Sequence, residues 1–230
     1  MKIIGLIWGM SWESSLEYYR IINETTKQRL GALHSAKSLM YTVDFNEIEQ
    51  LQHQGKWEKL TVLMIDAAKK LESGGADFLI ICTNTMHKMA WKVQDAITIP
   101  LLHIADATAQ KIVEQGYKKI WLLWTKFTME EDFYKGRLID TYWLEVIIPN
   151  NIDRDIIHHV IYDELCQGKI LEFSKQEYLR IIQSLVEQWT EAIILWCTEI
   201  SLLVQQGDVS IPLFDTTRIH AECAVEEALK

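Results

Sequence analysis

Short apolar runs alternate with longer amphipathic stretches along nearly the whole chain, and this rhythm narrows the accessible folds most. Strand-like segments fall at Lys2 to Ile7, Ser38 to Val43 and Phe78 to Cys82, separated by helix-like segments at Ser14 to Leu30 and Trp57 to Ser73. After Pro100 the pattern restarts, with a helix near Asp106 to Gln115 and strands at Lys119 to Leu123, Glu145 to Ile148 and Ala192 to Leu195. Thr128 with Glu131, and Ser174 with Glu177, have the spacing of capping boxes that open two further helices. Strand, helix, strand repetition of this kind builds parallel sheets through right-handed crossovers.

The two halves repeat each other. "IGLIWGMS" (Ile4 to Ser11) overlays "IWLLWTKF" (Ile120 to Phe127), and "GGADFLIICTN" (Gly74 to Asn84) overlays "WTEAIILWCTE" (Trp189 to Glu199). The reading is an α/β fold of two pseudo-symmetric domains, each a parallel sheet flanked by helices. The first domain is expected at 1–100 plus 208–230 and the second at 101–207. The overlay sets Cys82 against Cys197, each ending an apolar run and followed by Thr. Open parallel sheets bind ligands beyond the carboxyl ends of their strands, so two such domains facing one cleft would present one thiol from each side.

Two facing thiols suit one chemistry in particular. Inverting a stereocentre requires one group to remove a proton from carbon and a second to return one to the opposite face. A thiolate and a thiol fill those roles, and a helix N-terminus favours the thiolate. Cys166 and Cys223 lie in helical patterns without that context and are read as structural. A Cys ending an apolar strand is by itself more often an inert core residue; the repeat and the shared Cys-Thr pair raise these two above that reading.

Charge and composition exclude other classes. The net charge of -9 comes without a basic cluster, which argues against nucleic acid or an anionic membrane as partner. No apolar run is long enough to span a bilayer and no signal pattern opens the chain, so the expected location is the cytoplasm. Four cysteines without CxxC spacing are expected to stay reduced thiols. His87, His103 and His220 read as separate packing or capping histidines, and no spacing suggests a metal site. Arg137 is a weaker candidate for holding a carboxylate.

The motifs "GMSWESSLEYYRIIN", "CTNTMHK", "PLLHIADAT", "FTMEEDFYKGRL" and "CTEISLL" resemble those of the aspartate/glutamate racemase family, in particular its members that use no pyridoxal phosphate. The similarity runs from Met1 to the final helix. It implies an active site in the cleft between the two domains, no cofactor, a homodimer, and a small acidic amino acid as substrate. Cys82 and Cys197 would be the catalytic bases. Met10, Ser11, Thr83, Asn84, Thr85, Thr125, Thr198 and Glu199 would line the substrate site.

The tryptophans depart from this pattern. Trp8, Trp124 and Trp196 stand where the family has glycine, and Trp121, Trp143 and Trp189 look like the same replacement. The repeat gives this without the family, since Trp121 overlays Gly5 and Trp189 overlays Gly74. The chain holds nine Trp and only ten Gly, where an average near 7% would give roughly sixteen Gly. The tryptophans are genuine and fill the cleft of an inactive binding or scaffold relative, or are engineered, or are glycines read through the wrong genetic code. UGA specifies Trp in one variant code and Gly in another. Trp12 and Trp57 fit the family as Trp.

Overall fold

The computed structural model describes residues 1–123, 132–195 and 200–230, apart from the side chains at 132, 133 and 166. It divides into two compact units, Met1–Ala107 with Thr217–Lys230, and Thr108–Thr216.

In the first unit β1 (Ile4–Trp8) lies between β2 (Ser38–Thr42) and β3 (Phe78–Ile81), all parallel. Successive side chains of a strand point to opposite faces, and both faces are buried here. Ile4, Leu6, Phe78 and Ile80 pack with Tyr18, Ile21 and Ile22 of α1 (Trp12–Leu30) and with Ala221, Ala224 and Val225 of the C-terminal helix, Thr216–Leu229. Ile7, Leu79 and Ile81 pack instead with Leu60, Met64 and Ala68 of α3 (Trp57–Ser73), and with Ile48 of α2 (Phe45–His53). A sheet covered on both sides needs near-continuous apolar strands rather than alternating ones, which is why IGLIW and FLII look as they do. Ser11 caps α1: its hydroxyl accepts from the Ser14 amide, so the helix starts two residues ahead of the expected Ser14.

The second unit repeats the plan. Its sheet runs β5 (Glu145–Ile147), β4 (Lys119–Leu123), β6 (Ala192–Leu195), β7 (Leu213–Asp215), again parallel. Trp121, Leu123, Ile193 and Leu195 pack against Tyr178, Ile181, Ile182 and Leu185 of the helix Glu172–Val186. That helix opens two residues before Ser174, and no capping box forms there. Ser174 is buried and donates its hydroxyl to Glu164 instead. The Thr128 and Glu131 box lies outside the described residues.

The repeat extends to how each strand is entered. Asp77 accepts the Ile3 amide (2.6 Å), and Glu191 accepts those of Lys118 and Lys119 (2.6 and 2.8 Å). Gly75 lies three residues ahead of β3 with φ +94°, and Trp189 lies three residues ahead of β6 with φ +62°. Trp189 therefore occupies the place of Gly75 and not of Gly74, a one-residue correction to the sequence overlay. Trp143 has φ +54° just after the helix Asp132–Tyr142, where its amide bonds Ile139 O (3.0 Å) and the Leu144 amide bonds Leu138 O (3.3 Å). This is the left-handed helix ending that glycine ordinarily fills.

A side chain with a Cβ strains such backbone by about 1–2 kcal/mol. Both indoles are 86% exposed and so return little burial energy. Trp121 presents a different conflict: it is buried in the core, and its Nε1 has no hydrogen-bond partner. An orphaned buried donor costs about 1–3 kcal/mol. Trp8, by contrast, fits. It ends β1 half-buried, and its indole N–H donates to Thr42 Oγ1 on the paired strand. The close approach at this junction is met by Gly9, whose φ is +99° and where a Cβ would come within 2.7 Å of Val43 O.

Trp143→Gly and Trp189→Gly should each stabilise the chain by about 0.5–1 kcal/mol, the relieved strain less the entropy that glycine adds to the unfolded state. Denaturant melts check this; a loss of stability in both would show that the left-handed turns are not what limits them.

Candidate active site

Parallel pairing brings two loops to the same edge of the first sheet. The Cys82 amide donates to Ile7 O (2.9 Å), continuing the β1 to β3 ladder one residue past β3. Cys82 thus follows the strand end beside the loop that leaves β1 for α1. That loop is closed by Ser15, whose hydroxyl donates to Ser11 O (2.6 Å) and accepts from the Gly9 amide (2.9 Å). Ser11 and Trp8 are half-buried there. Met10 is a core residue, packed with Ile7, Ile48, Met64 and Met86. Of the two predicted positions in this loop, only Ser11 reaches the surface.

Beyond Cys82 the chain turns through Thr83 and Asn84 into a short 3-10 segment, Thr85–Met89. Thr83 and Thr85 are half-buried and Asn84 is buried. The Cys82 thiol is fully buried on the α1 face of the sheet, and desolvation pushes its pKa up. Burial therefore outweighs the acidifying effect expected of a helix start, and the thiol is neutral in the unliganded chain. Cys223 is half-buried on the C-terminal helix and forms no disulfide.

Trp124, Thr125, Trp196, Cys197, Thr198 and Glu199 lie outside the described residues; by number, Cys197 follows the end of β6 by two positions. Arg137 is exposed on the helix Asp132–Tyr142. Among the described residues no group of three or more His, Cys, Asp or Glu side chains could hold a metal ion. No helix among them is long and apolar enough to cross a membrane.

The histidines read separately from sequence are one cluster. The His87 and His103 rings lie 4.6 Å apart between centroids, His87 and His220 5.7 Å. His87 Nδ1 bonds Thr83 O (2.8 Å), and its Nε2 accepts from the Ile104 amide (3.3 Å). His103 Nδ1 accepts from the Ala105 amide (3.1 Å), capping the helix Ile104–Glu114. His220 Nε2 bonds Leu102 O (3.0 Å), and its Nδ1 pairs with the Tyr18 hydroxyl (3.0 Å). Positions 87, 103 and 220 share no short spacing, so only the fold reveals the cluster.

Burial, and for His87 its histidine neighbours, hold His87 well below the usual imidazole range and His220 down to about 4. The unfolded chain takes up protons on these rings near pH 6.5 while the native chain does not, so stability is full above pH 6.5. It should fall as pH drops from 6.5 towards 4, by about 3 kcal/mol from His220 alone. Urea melts across that window check the slope, and His220→Gln should flatten it.

Residues 7–224 match the family model described as Asp/Glu/Hydantoin racemase. The chain is 52% identical to a Yersinia pestis protein of known structure provisionally assigned as an Asp/Glu racemase, with full coverage of both chains and a TM-score of 0.96. It is 34% identical to an aspartate racemase homologue from Pyrococcus horikoshii, again with full coverage of both, at a TM-score of 0.89. A broad-specificity amino-acid racemase from Bacillus subtilis is 25% identical across 99% of this chain and 98% of its own length.

Proposed function

The chain belongs to the Asp/Glu/Hydantoin racemase family, and from that premise we propose that it interconverts the L and D forms of a small acidic amino acid without a cofactor, using Cys82 and Cys197 as paired acid and base. The observation that carries the proposal is Cys82 itself. It is a buried thiol just past the carboxyl end of β3, paired in parallel with the central strand β1 and beside the β1 to α1 loop, in a chain whose relatives are named aspartate and amino-acid racemases.

The reaction needs one protonated and one deprotonated group at Cα. Burial keeps Cys82 in the proton-donating form. A substrate ammonium bound beside it would favour the thiolate and so poise the thiol to act in either direction. In one direction Cys197 removes the α-proton and Cys82 delivers one to the opposite face; in the other the roles exchange. Charge developing on the substrate carboxylate would be met by donors from Thr83, Asn84, Thr85 and Thr198, with Ser11 from the first loop and Thr125 from the second unit, while Glu199 would orient or proton-couple the Cys197 thiol. Met10 contributes by holding that first loop against the core.

The proposal includes a reducing compartment, the cytoplasm, because oxidation of either thiol would stop the cycle. It also includes a homodimer. Trp12, Leu16 and Tyr19 form an exposed apolar stripe along α1, and covering such a stripe is what an interface does.

Incubation of L-Asp and L-Glu with the protein in D2O should give α-deuterated D-enantiomer. Cys82→Ser and Cys197→Ser should each lower turnover by about 10²-fold or more. Absence of exchange with every small acidic amino acid tested would reject the racemase reading, and full activity in either variant would reject the two-thiol mechanism.

A further inference from the structure

Taking the racemase reading as its basis, the hydrogen bonds of His87 carry an inference about how Cys82 is held. A carbonyl oxygen only accepts, so the 2.8 Å bond to Thr83 O puts the proton on His87 Nδ1. A backbone amide only donates, so Nε2 must be the bare, accepting nitrogen opposite the Ile104 N–H. Both partners are satisfied by one tautomer of the neutral ring and by no other state. The imidazolium would set an N–H against the Ile104 N–H. The two partners are not neighbours in sequence: Thr83 directly follows Cys82, and Ile104 begins the helix Ile104–Glu114.

We propose that His87 is a positioning residue for Cys82: a permanently neutral Nδ1–H imidazole that clamps the Thr83 carbonyl on one side and the start of the Ile104–Glu114 helix on the other. The groups facing it are consistent with permanent neutrality. They are His103 and His220, with Tyr18 beyond His220, and both neighbouring rings oppose a proton on His87. Fixing the Thr83 carbonyl fixes the Thr83–Asn84 peptide, one residue beyond the thiol, and so limits the turn that leaves Cys82; small displacements of a reacting group carry large rate penalties.

Two substitutions separate the two bonds. His87→Asn can place an amide N–H near the Nδ1 position and keep the Thr83 bond; His87→Gln reaches the Nε2 position and keeps only an acceptor for Ile104. Asn should retain kcat within about threefold and Gln should lose tenfold or more, with KM little changed in both and thermal melts confirming folded protein. Equal kcat in Asn, Gln and wild type would overturn the positioning role. Should neither variant fold, 15N resonances of the wild-type ring decide: a neutral Nδ1–H signal constant from pH 5 to 8 supports the proposal, and an Nε2–H tautomer or a titration near 6.5 overturns it. The ring resonances are independent of turnover. A wild type without racemase activity but with a constant Nδ1–H signal would therefore sink the functional reading and leave the clamp standing.

A second and independent set of observations concerns the tryptophans. Among the described residues, positive φ occurs at three residues other than glycine, and two of them are Trp143 and Trp189. Each takes a left-handed turn after a helix, and for Trp189 the matching place in the other unit is held by Gly75. Trp121 pairs with Ile193 as Gly5 pairs with Leu79, and at Gly5 even a Cβ would come within 2.4 Å of Leu79 Cδ2. We infer that glycine is the residue made at 121, 143 and 189 in the source cell, from UGA codons read there as Gly.

Peptide mass mapping of the protein isolated from its natural source should find Gly at 121, 143 and 189 and Trp at 12 and 57. The gene should carry UGA at the first three positions and UGG at the other two. Trp in the native peptides covering 143 or 189, or UGG at either codon, would overturn the inference.

Discussion

The register of β1 against β3 is the constraint on which the first unit depends. Ile4 pairs with Phe78 and Ile7 with Ile81, and the ladder continues through the Cys82 amide to Ile7 O. A shift of β3 by one residue would send each of its side chains to the opposite face. Phe78 and Ile80 would then meet α3 in place of α1, and Cys82 would leave the face it shares with Tyr18. Apolar packing on two dissimilar faces thus fixes where the thiol stands, before any residue of the site contributes.

The same constraint works twice in the chain, which gives it an internal control. Asp77 and Glu191 perform one task at the two strand entries, as do Gly75 and Trp189 at the two helix exits. Where the halves agree, the residue is set by the fold. Where they disagree in chemistry but agree in backbone conformation, as glycine and tryptophan do at 75 and 189, backbone geometry identifies which residue the position favours.

Much of this was legible in the sequence. Strands 119–123 and 192–195 and the helix Trp57–Ser73 have the expected ends, because long periodic runs bounded by turns leave little choice. The helices Phe45–His53 and Asn151–His159 and the strand Leu213–Asp215 were not anticipated: each is short, and its stability comes from packing that periodicity does not encode. Ser174 and Glu177 had the spacing of a cap, yet tertiary contact with Glu164 claimed the hydroxyl. Trp8 stands where the family has glycine, yet pairing with β2 supplies Thr42 as partner for its indole. Met10 looked like a substrate residue because it sits in the right loop, but its side chain turns into the core.

The histidine cluster shows why the least legible feature matters for chemistry. Sequence separates its members by as many as 133 positions, from His87 to His220, and each alone reads as inert. Assembled, they form a buried polar network: the Ile104 and Ala105 amides each need a bare ring nitrogen, and desolvation holds His87 and His220 neutral against the pull of the Thr83 and Leu102 carbonyls. An imidazolium this close would stabilise a thiolate at Cys82 continuously. The two-thiol mechanism proposed above needs the opposite: a thiol whose charge state is set by the bound substrate and by its partner thiol, with the surroundings silent. Three buried neutral imidazoles provide hydrogen-bonding rigidity without net charge, which lysine, arginine or a carboxylate in the same place could not.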